Sequence, residues 1–141
     1  MAFTDIYRVS GSAMTAQTVR LNTIASNLAN AESPADNEGA VYKARRPVFA
    51  AVYQNSELMD NKALAGARVQ IMDVVETGSA VQRYEPNHPM ANDQGYVFYP
   101  DINVVEEMAD MMSASRSFET NVEVLNSVKS MQQSLLRLGE A

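Results

Sequence analysis

The sequence predicts an α+β fold in which long N- and C-terminal helices pair as a coiled-coil-like hairpin, with a small β-rich region between them. Three observations point there. Both ends of the chain carry apolar residues at alternating spacings of three and four, the mark of a helical seam. The middle switches to short Val- and aromatic-containing runs broken by Gly and Pro. Bulky apolar residues are scarce: Leu, Ile, Val and Phe number 31 in 141 residues, against 19 Ala and 9 Met. A chain of this length builds one modest core at most. The organisation that follows is an N-terminal helix over residues 1–31, a β-rich middle with loops over 32–100, and a C-terminal helix over 101–141.

The first helix rests on positions 3, 7, 10, 14, 17, 21, 24, 28 and 31, held by Phe3, Tyr7, Ser10, Met14, Gln17, Leu21, Ile24, Leu28 and Ala31. Ile6, Val9, Ala13 and Ala16 widen the apolar face in its first half. Thr4 or Asp5 is placed to cap the start. Gly11 weakens it by about 1 kcal/mol relative to Ala. The helix should stop before Glu32-Ser33-Pro34, because proline biases its predecessor away from the α region. Asp5, Arg8 and Arg20 are its only charges, so it has little to offer water and should be buried on more than one side.

In the middle, residues 32–39 form a polar turn segment. Pro47 reduces the run 41–53 to an edge strand or two short strands. Residues 54–66 form a polar, Ala-containing loop. Residues 68–75, the turn Glu76-Thr77-Gly78-Ser79 and residues 80–84 suggest a hairpin. Glu85-Pro86-Asn87-His88-Pro89 reads as extended and poorly able to pair, and 95–100 is a last short strand. In the second helix Asp101 or Asn103 is the cap, with Glu106, Glu107 and Asp110 where the helix dipole favours negative charge. Its seam runs through Val104, Met108, Met111, Ser115, Phe118, Val122 and Leu125. It then shifts to Val128, Met131, Leu135 and Leu138, a local break in the heptad. A 36-residue helix is ~54 Å long, a length suited to a rod or bundle.

Composition excludes several classes of function. The absence of Cys removes disulfide scaffolds, thiol catalysis and Cys-based metal sites. The formal net charge of −6 argues against a broad nucleic-acid surface, and the short basic cluster Lys43-Ala44-Arg45-Arg46 reads as a solvated or partner-facing patch. No apolar run is long enough for a transmembrane segment. The N-terminus lacks a basic start followed by an apolar run, so no cleaved signal peptide is expected. His88, the only His, is a loop residue flanked by Pro89 and cannot complete a triad alone. Glu106 with Asp110, and Glu119 with Glu123, lie at i, i+4 without the Glu-x-x-His element of carboxylate metal sites, and read as a solvated acidic face or partner contact. The expectation is therefore no enzyme, no cofactor and no metal. The Met108, Met111 and Met112 cluster serves packing or a partner surface. Asn22, Asn27, Asn30, Asn121 and Asn126 lie near the seams, where a buried Asn sets register or partner identity.

Two segments carry a resemblance. Leu21-Asn22-Thr23-Ile24-Ala25-Ser26-Asn27-Leu28-Ala29-Asn30-Ala31 resembles the N-terminal signature of bacterial flagellar axial proteins of the rod and hook family. Ser115-Arg116-Ser117-Phe118-Glu119-Thr120-Asn121-Val122-Glu123-Val124-Leu125-Asn126 is similar to that family's C-terminal signature. The stretch from Tyr84-Glu85-Pro86-Asn87-His88-Pro89 through Gly95-Tyr96-Val97 to Pro100-Asp101-Ile102-Asn103-Val104-Val105, with the short length, narrows the resemblance to a member of the proximal rod. It implies a structural subunit that leaves the cell unfolded through the flagellar type III export apparatus, without a cleaved signal. It implies polymerisation with other copies of itself and other flagellar rod proteins into a torque-transmitting tube, which spans the periplasm and contains the export channel. Leu21, Ile24, Leu28, Phe118, Val122 and Leu125 are the expected helix-pairing residues. Asn27, Asn30, Arg116 and Asn121 are the expected intersubunit contacts. The alternative is a soluble helical export adaptor or chaperone-type binding module using the same Met- and Ala-rich surfaces. A carboxylate-based peptidoglycan hydrolase ranks behind both, since its carboxylates would have to face each other across a cleft.

Overall fold

A computed structural model describes residues 2–53 and 67–139. The order is α1 (Ala2–Asn30), a 3-10 turn (Glu38–Ala40), β1 (Ala44–Tyr53), β2 (Ala67–Thr77), β3 (Ala80–Tyr84), β4 (Tyr96–Pro100) and α2 (Val104–Gly139). The expected loop 54–66 lies outside the described residues.

The two helices run antiparallel and pack along each other. Three side-chain contacts fix the direction: Tyr7 Oη donates to Gln132 Oε1 at 3.1 Å, Arg20 Nη2 reaches Asp110 Oδ1 at 3.0 Å, and Asn27 Nδ2 donates to Glu107 Oε2 at 3.1 Å. They are spread along ~30 Å of α1 at the α-helical rise. Helix α1 begins at Ala2, so Thr4 and Asp5 lie inside its first turn and do not cap it. It ends at Asn30, where the amides of Ala31 and Ser33 close the last turn on Leu28 and Asn30, before Pro34. Asn103 caps α2, its Oδ1 accepting from the amides of Val105 at 3.1 Å and Glu106 at 3.4 Å.

The α2 seam corrects the sequence reading. Residues 107, 111, 114, 118, 121, 125, 128 and 132 are all buried or half-buried. Their spacing alternates between four and three without interruption, so the expected heptad break near 125–131 does not occur. Met108 (54% exposed), Met131 (51%), Leu135 (55%) and Leu138 (74%) lie off the seam. The reason is chemical: the seam includes polar Glu107, Asn121 and Gln132, which a stripe drawn only through apolar side chains passes over.

The middle folds as two separate two-stranded antiparallel sheets, β1–β2 and β3–β4. The expected hairpin between residues 68–75 and 80–84 is thus wrong. Strand β2 pairs along β1 from Ala44↔Thr77 to Tyr53↔Ala67, and β3 pairs with β4 from Ala80↔Pro100 to Tyr84↔Tyr96. Only Gly78 and Ser79 separate β2 from β3. Gly78, at φ +110°, passes the chain from one sheet to the other, and Ser79 O accepts from Asp101 N at 3.1 Å. A two-residue link favours a hairpin only where both strands lack better partners; here the ladder on β1 takes all of β2. Pro47 sits inside a single ten-residue strand, tolerated at its outer edge and followed by a bulge between Val48 and Phe49.

Strand β4 carries the core. Val97, Phe98, Tyr99 and Pro100 are buried, and Ala35 exchanges both backbone hydrogen bonds with Phe98 at 2.8 and 3.0 Å. Ala35, Val41 and Phe98 form the apolar cluster, with Ala80 against it. Tyr99 Oη donates to Glu85 Oε2 at 3.2 Å beneath the Arg83 guanidinium, 4.5 Å from the ring centroid. Burial first, and then that carboxylate, push the Tyr99 phenol above its ordinary value. The proline segment 85–89 is folded into successive turns rather than extended, with His88 N on Glu85 O and Ala91 N on His88 O. Proline lacks the donor for a ladder, but neighbouring carbonyls still close turns. Gly95, at φ +80°, completes the loop; a Cβ there would lie 3.0 Å from Tyr84 Cε2 and 3.2 Å from Pro86 Cβ.

These two glycine environments predict opposite outcomes. At Gly11 an added Cβ meets nothing within 4 Å, so Gly11→Ala should stabilise the folded chain by roughly 0.5–1 kcal/mol. Gly95→Ala should destabilise it by about 1–2 kcal/mol. Denaturant titration followed by circular dichroism measures both.

Candidate assembly site

The two signature segments meet the start of β1 at a polar junction. Its centre is Asn27, 1% exposed. Every hydrogen-bonding position of its amide is used. Nδ2 donates to Arg45 O at 3.0 Å and to Glu107 Oε2 at 3.1 Å, and Oδ1 accepts from Arg45 N at 2.8 Å and from Tyr42 Oη at 3.0 Å. Holding both backbone groups of Arg45, Asn27 stands where a third strand would bond and closes that part of the β1 edge. A fixed helical position with small neighbours Ala31 and Ser26 lets the backbones approach closely. Ser26 Oγ adds a 3.0 Å bond with Tyr42 Oη.

Around this amide lies an ion-pair network. Glu107, 3% exposed, lies 3.5 Å from Arg46 Nη2 as well as bonding Asn27. Arg46 also faces Glu106 at 3.6 Å and Asp110 at 3.7 Å, while Arg20 meets Asp110 at 3.0 Å. A buried carboxylate costs several kcal/mol unless donors compensate it, and Asn27 and Arg46 are those donors. Strand β1 is therefore clamped to both helices by one buried charge. A cleft of about 260 Å³ opens between these groups, lined also by Thr23, Ile24, Pro47 and Phe49. The basic cluster, expected as a solvated or partner-facing patch, and the first acidic pair, expected as a solvated face or partner contact, keep exposed members in Lys43, Arg45, Arg46 and Glu106 and also pair with each other within the subunit. Arg46, Glu106 and Asp110 face one another across the α2–β1 contact, Ala44 is buried, and Arg45 pairs with Glu76 at 3.6 Å and lies over the Tyr42 ring.

The remaining sequence-selected residues are distributed as follows. Ile24 is buried; Leu21, Leu28, Phe118, Val122 and Leu125 are half-buried. Asn30 and Asn121 are half-buried and each donates back to the carbonyl four residues earlier, Ser26 and Ser117. Arg116 is exposed and lines an open groove on α2 with Phe118, Glu119, Thr120, Val122 and Glu123. The junction brings Asn27 to Glu107, but it does not include Asn30, Arg116 or Asn121. Sequence reasoning missed Arg20, Arg46 and Glu107 as partners. The signal available was charge balance: a helix with few charges keeps Arg20 on the level of an acidic turn of α2. Sheet β1–β2 also touches α1 elsewhere, where Ser12 Oγ accepts from the outward amide of Val69 at 3.0 Å.

Known proteins carry the same segments. A family profile described as "Flagella basal body rod protein" matches residues 8–34, and one described as "Flagellar basal body rod FlgEFG protein C-terminal" matches residues 93–138. The chain is 44% identical to the flagellar basal-body rod protein FlgC of Escherichia coli O6:H1, over 99% of this chain and 100% of that protein. It is 43% identical to that of Salmonella typhimurium over the same shares. It is 34% identical to that of Borreliella burgdorferi, over 92% of this chain and 93% of that protein.

The junction predicts unequal costs for its members. Asn27→Ala leaves Glu107 with only the 3.5 Å contact to Arg46, orphans the outward backbone groups of Arg45, and should destabilise the fold by about 3 kcal/mol. Arg45→Ala removes a half-exposed ion pair and an exposed stacking contact on Tyr42 but keeps the backbone bonds, so it should cost about 1 kcal/mol. Urea denaturation midpoints compared at constant slope test the order.

Proposed function

The chain belongs to the FlgC family of flagellar basal-body rod proteins, and from that premise we propose how it builds the rod. It is a structural subunit of the basal body. In this reading it polymerises through its terminal helices, with other copies of itself and with other rod proteins, into the tube that transmits torque and contains the export channel. The supporting observation is the mismatch between what α2 buries and what it exposes. Within the subunit α2 buries only Glu107, Ala114 and Val128, while Val105, Met108, Met112, Met131, Leu135, Leu136 and Leu138 are exposed. Apolar surface of this extent on one helix is the mark of a contact with another chain.

Leu21, Ile24, Leu28, Phe118, Val122 and Leu125 support the helix pairing, with Asn121 in the same seam and with Asn30 and Arg116 placed for neighbouring subunits. Asn27 supports assembly indirectly, by shaping its own subunit. The flagellar type III export apparatus delivers the chain across the inner membrane into the periplasmic space. No helix among the described residues is long and apolar enough to cross a membrane. The role is non-enzymatic: Glu106 and Asp110, the pair best spaced for acid–base chemistry, are engaged by Arg46 and Arg20.

Leu28→Asp or Phe118→Asp should block rod assembly while leaving synthesis of the chain intact, since each places an uncompensated charge on an apolar seam at a cost of several kcal/mol. Swimming assays and electron microscopy of hook–basal bodies check this. Normal basal bodies in either mutant contradict the reading.

A further inference from the structure

The seam between α1 and α2 mixes apolar and polar members. Ser10 and Ile24 on α1 and Ala114 and Val128 on α2 are among the most buried residues of the two helices. A heptad-periodic apolar seam still sets apolar against apolar when one helix slides by seven residues. Polar side-chain contacts mark three levels, Tyr7 with Gln132, Arg20 with Asp110 and Asn27 with Glu107, and of these the last is the buried one. In the observed register Glu107 stands opposite Asn27 and accepts its second amide hydrogen. Sliding α2 by one heptad brings Ala114 to that level in one direction; in the other, the level passes beyond the helix start at Val104 to Pro100, the last residue of β4. Neither side chain offers an acceptor, so the amide hydrogen of a residue only 1% exposed loses its partner. Glu107 at the same time leaves Arg46, which the Arg45 backbone holds beside Asn27.

We propose that Asn27 and Glu107 form the register key of the helix hairpin: a positioning pair that holds α2 at one axial offset against α1. That offset decides how far the tip of α2, with exposed Leu135, Leu136 and Leu138, stands from the start of α1. It therefore sets the spacing of the two ends that neighbouring subunits meet. The buried hydrogen bond between the helices is thus one that a slip of one heptad does not remake.

The chain has no Cys, which permits a direct test on the purified full-length protein. Tyr7→Cys with Gln132→Cys reports the observed register, where those side chains meet. Tyr7→Cys with Leu125→Cys, or with Gly139→Cys, reports the two slipped registers. Each pair is built with Glu107, with Glu107→Gln and with Glu107→Leu, treated with a short bifunctional maleimide and read by mass spectrometry, alongside the far-ultraviolet helical signal. With Glu107, and with Glu107→Gln, which keeps an acceptor for Asn27, the 7–132 product should exceed either slipped product by roughly tenfold. With Glu107→Leu the helical signal should persist and a slipped product should rise to a comparable yield. A Glu107→Leu chain that gives only the 7–132 product overturns the proposal. So does one that loses its helical signal, which would make the pair an ordinary stability contact. Slipped products, or no product, from the chain that retains Glu107 also overturn it. None of these outcomes depends on rod assembly, which swimming and basal-body morphology report separately.

Discussion

One buried carboxylate organises this subunit. Glu107 sits at 3% exposure in a chain with little bulk to surround it. A charge so placed is tolerated only where donors are already fixed. Those donors come from α1, through Asn27, and from β1, through Arg46. Three segments remote in sequence must therefore arrive together, and the ion pairs of Arg20, Glu106 and Asp110 extend the same contact to the surface. The neighbouring apolar contacts are small, and their job is to let the backbones approach closely enough for the polar groups to meet.

The two β-sheets depend on that junction in different ways. Sheet β1–β2 is tied to the helices directly: Asn27 holds the β1 edge at Arg45, and Ser12 holds β2 at Val69. Sheet β3–β4 instead has its own small core around Phe98, Ala35 and Val41. The two-residue link at Gly78 joins them. This arrangement leaves the outer face of α2 and its last turns exposed within the subunit, with Met108, Met112, Leu135, Leu136 and Leu138 in water; in the proposed assembly those side chains meet neighbouring chains.

The long helices were legible because period 3.6 persists over many turns and because Asn103 and Pro34 mark their limits. The seam of α2 was legible only in part: Met111, Phe118 and Leu125 belong to it, but Glu107, Asn121 and Gln132 are polar, and a pattern of apolar residues cannot announce a polar member. The strands from Val69 and from Tyr96 were readable as strands. Their partners were not, since local spacing favours a hairpin between β2 and β3 while the ladder on β1 is long-range. At the site, Asn27 was singled out by its small neighbours, yet its partners are 15 to 80 residues away in the chain. Arg46 is at the surface, as its cluster suggested, but its carboxylate partners on α2 are about 60 residues away in the chain.

The central claim is that Asn27 acts inside its own subunit so that the outer face of α2 is free to act between subunits. Imaging of intact basal bodies at side-chain resolution tests it most directly. The account predicts that in each copy the Asn27 amide contacts Glu107 and the Arg45 backbone of the same chain, while Met131, Leu135 and Leu138 are covered by neighbouring chains. Asn27 turned toward a neighbouring subunit, with those α2 side chains left in water, would contradict it.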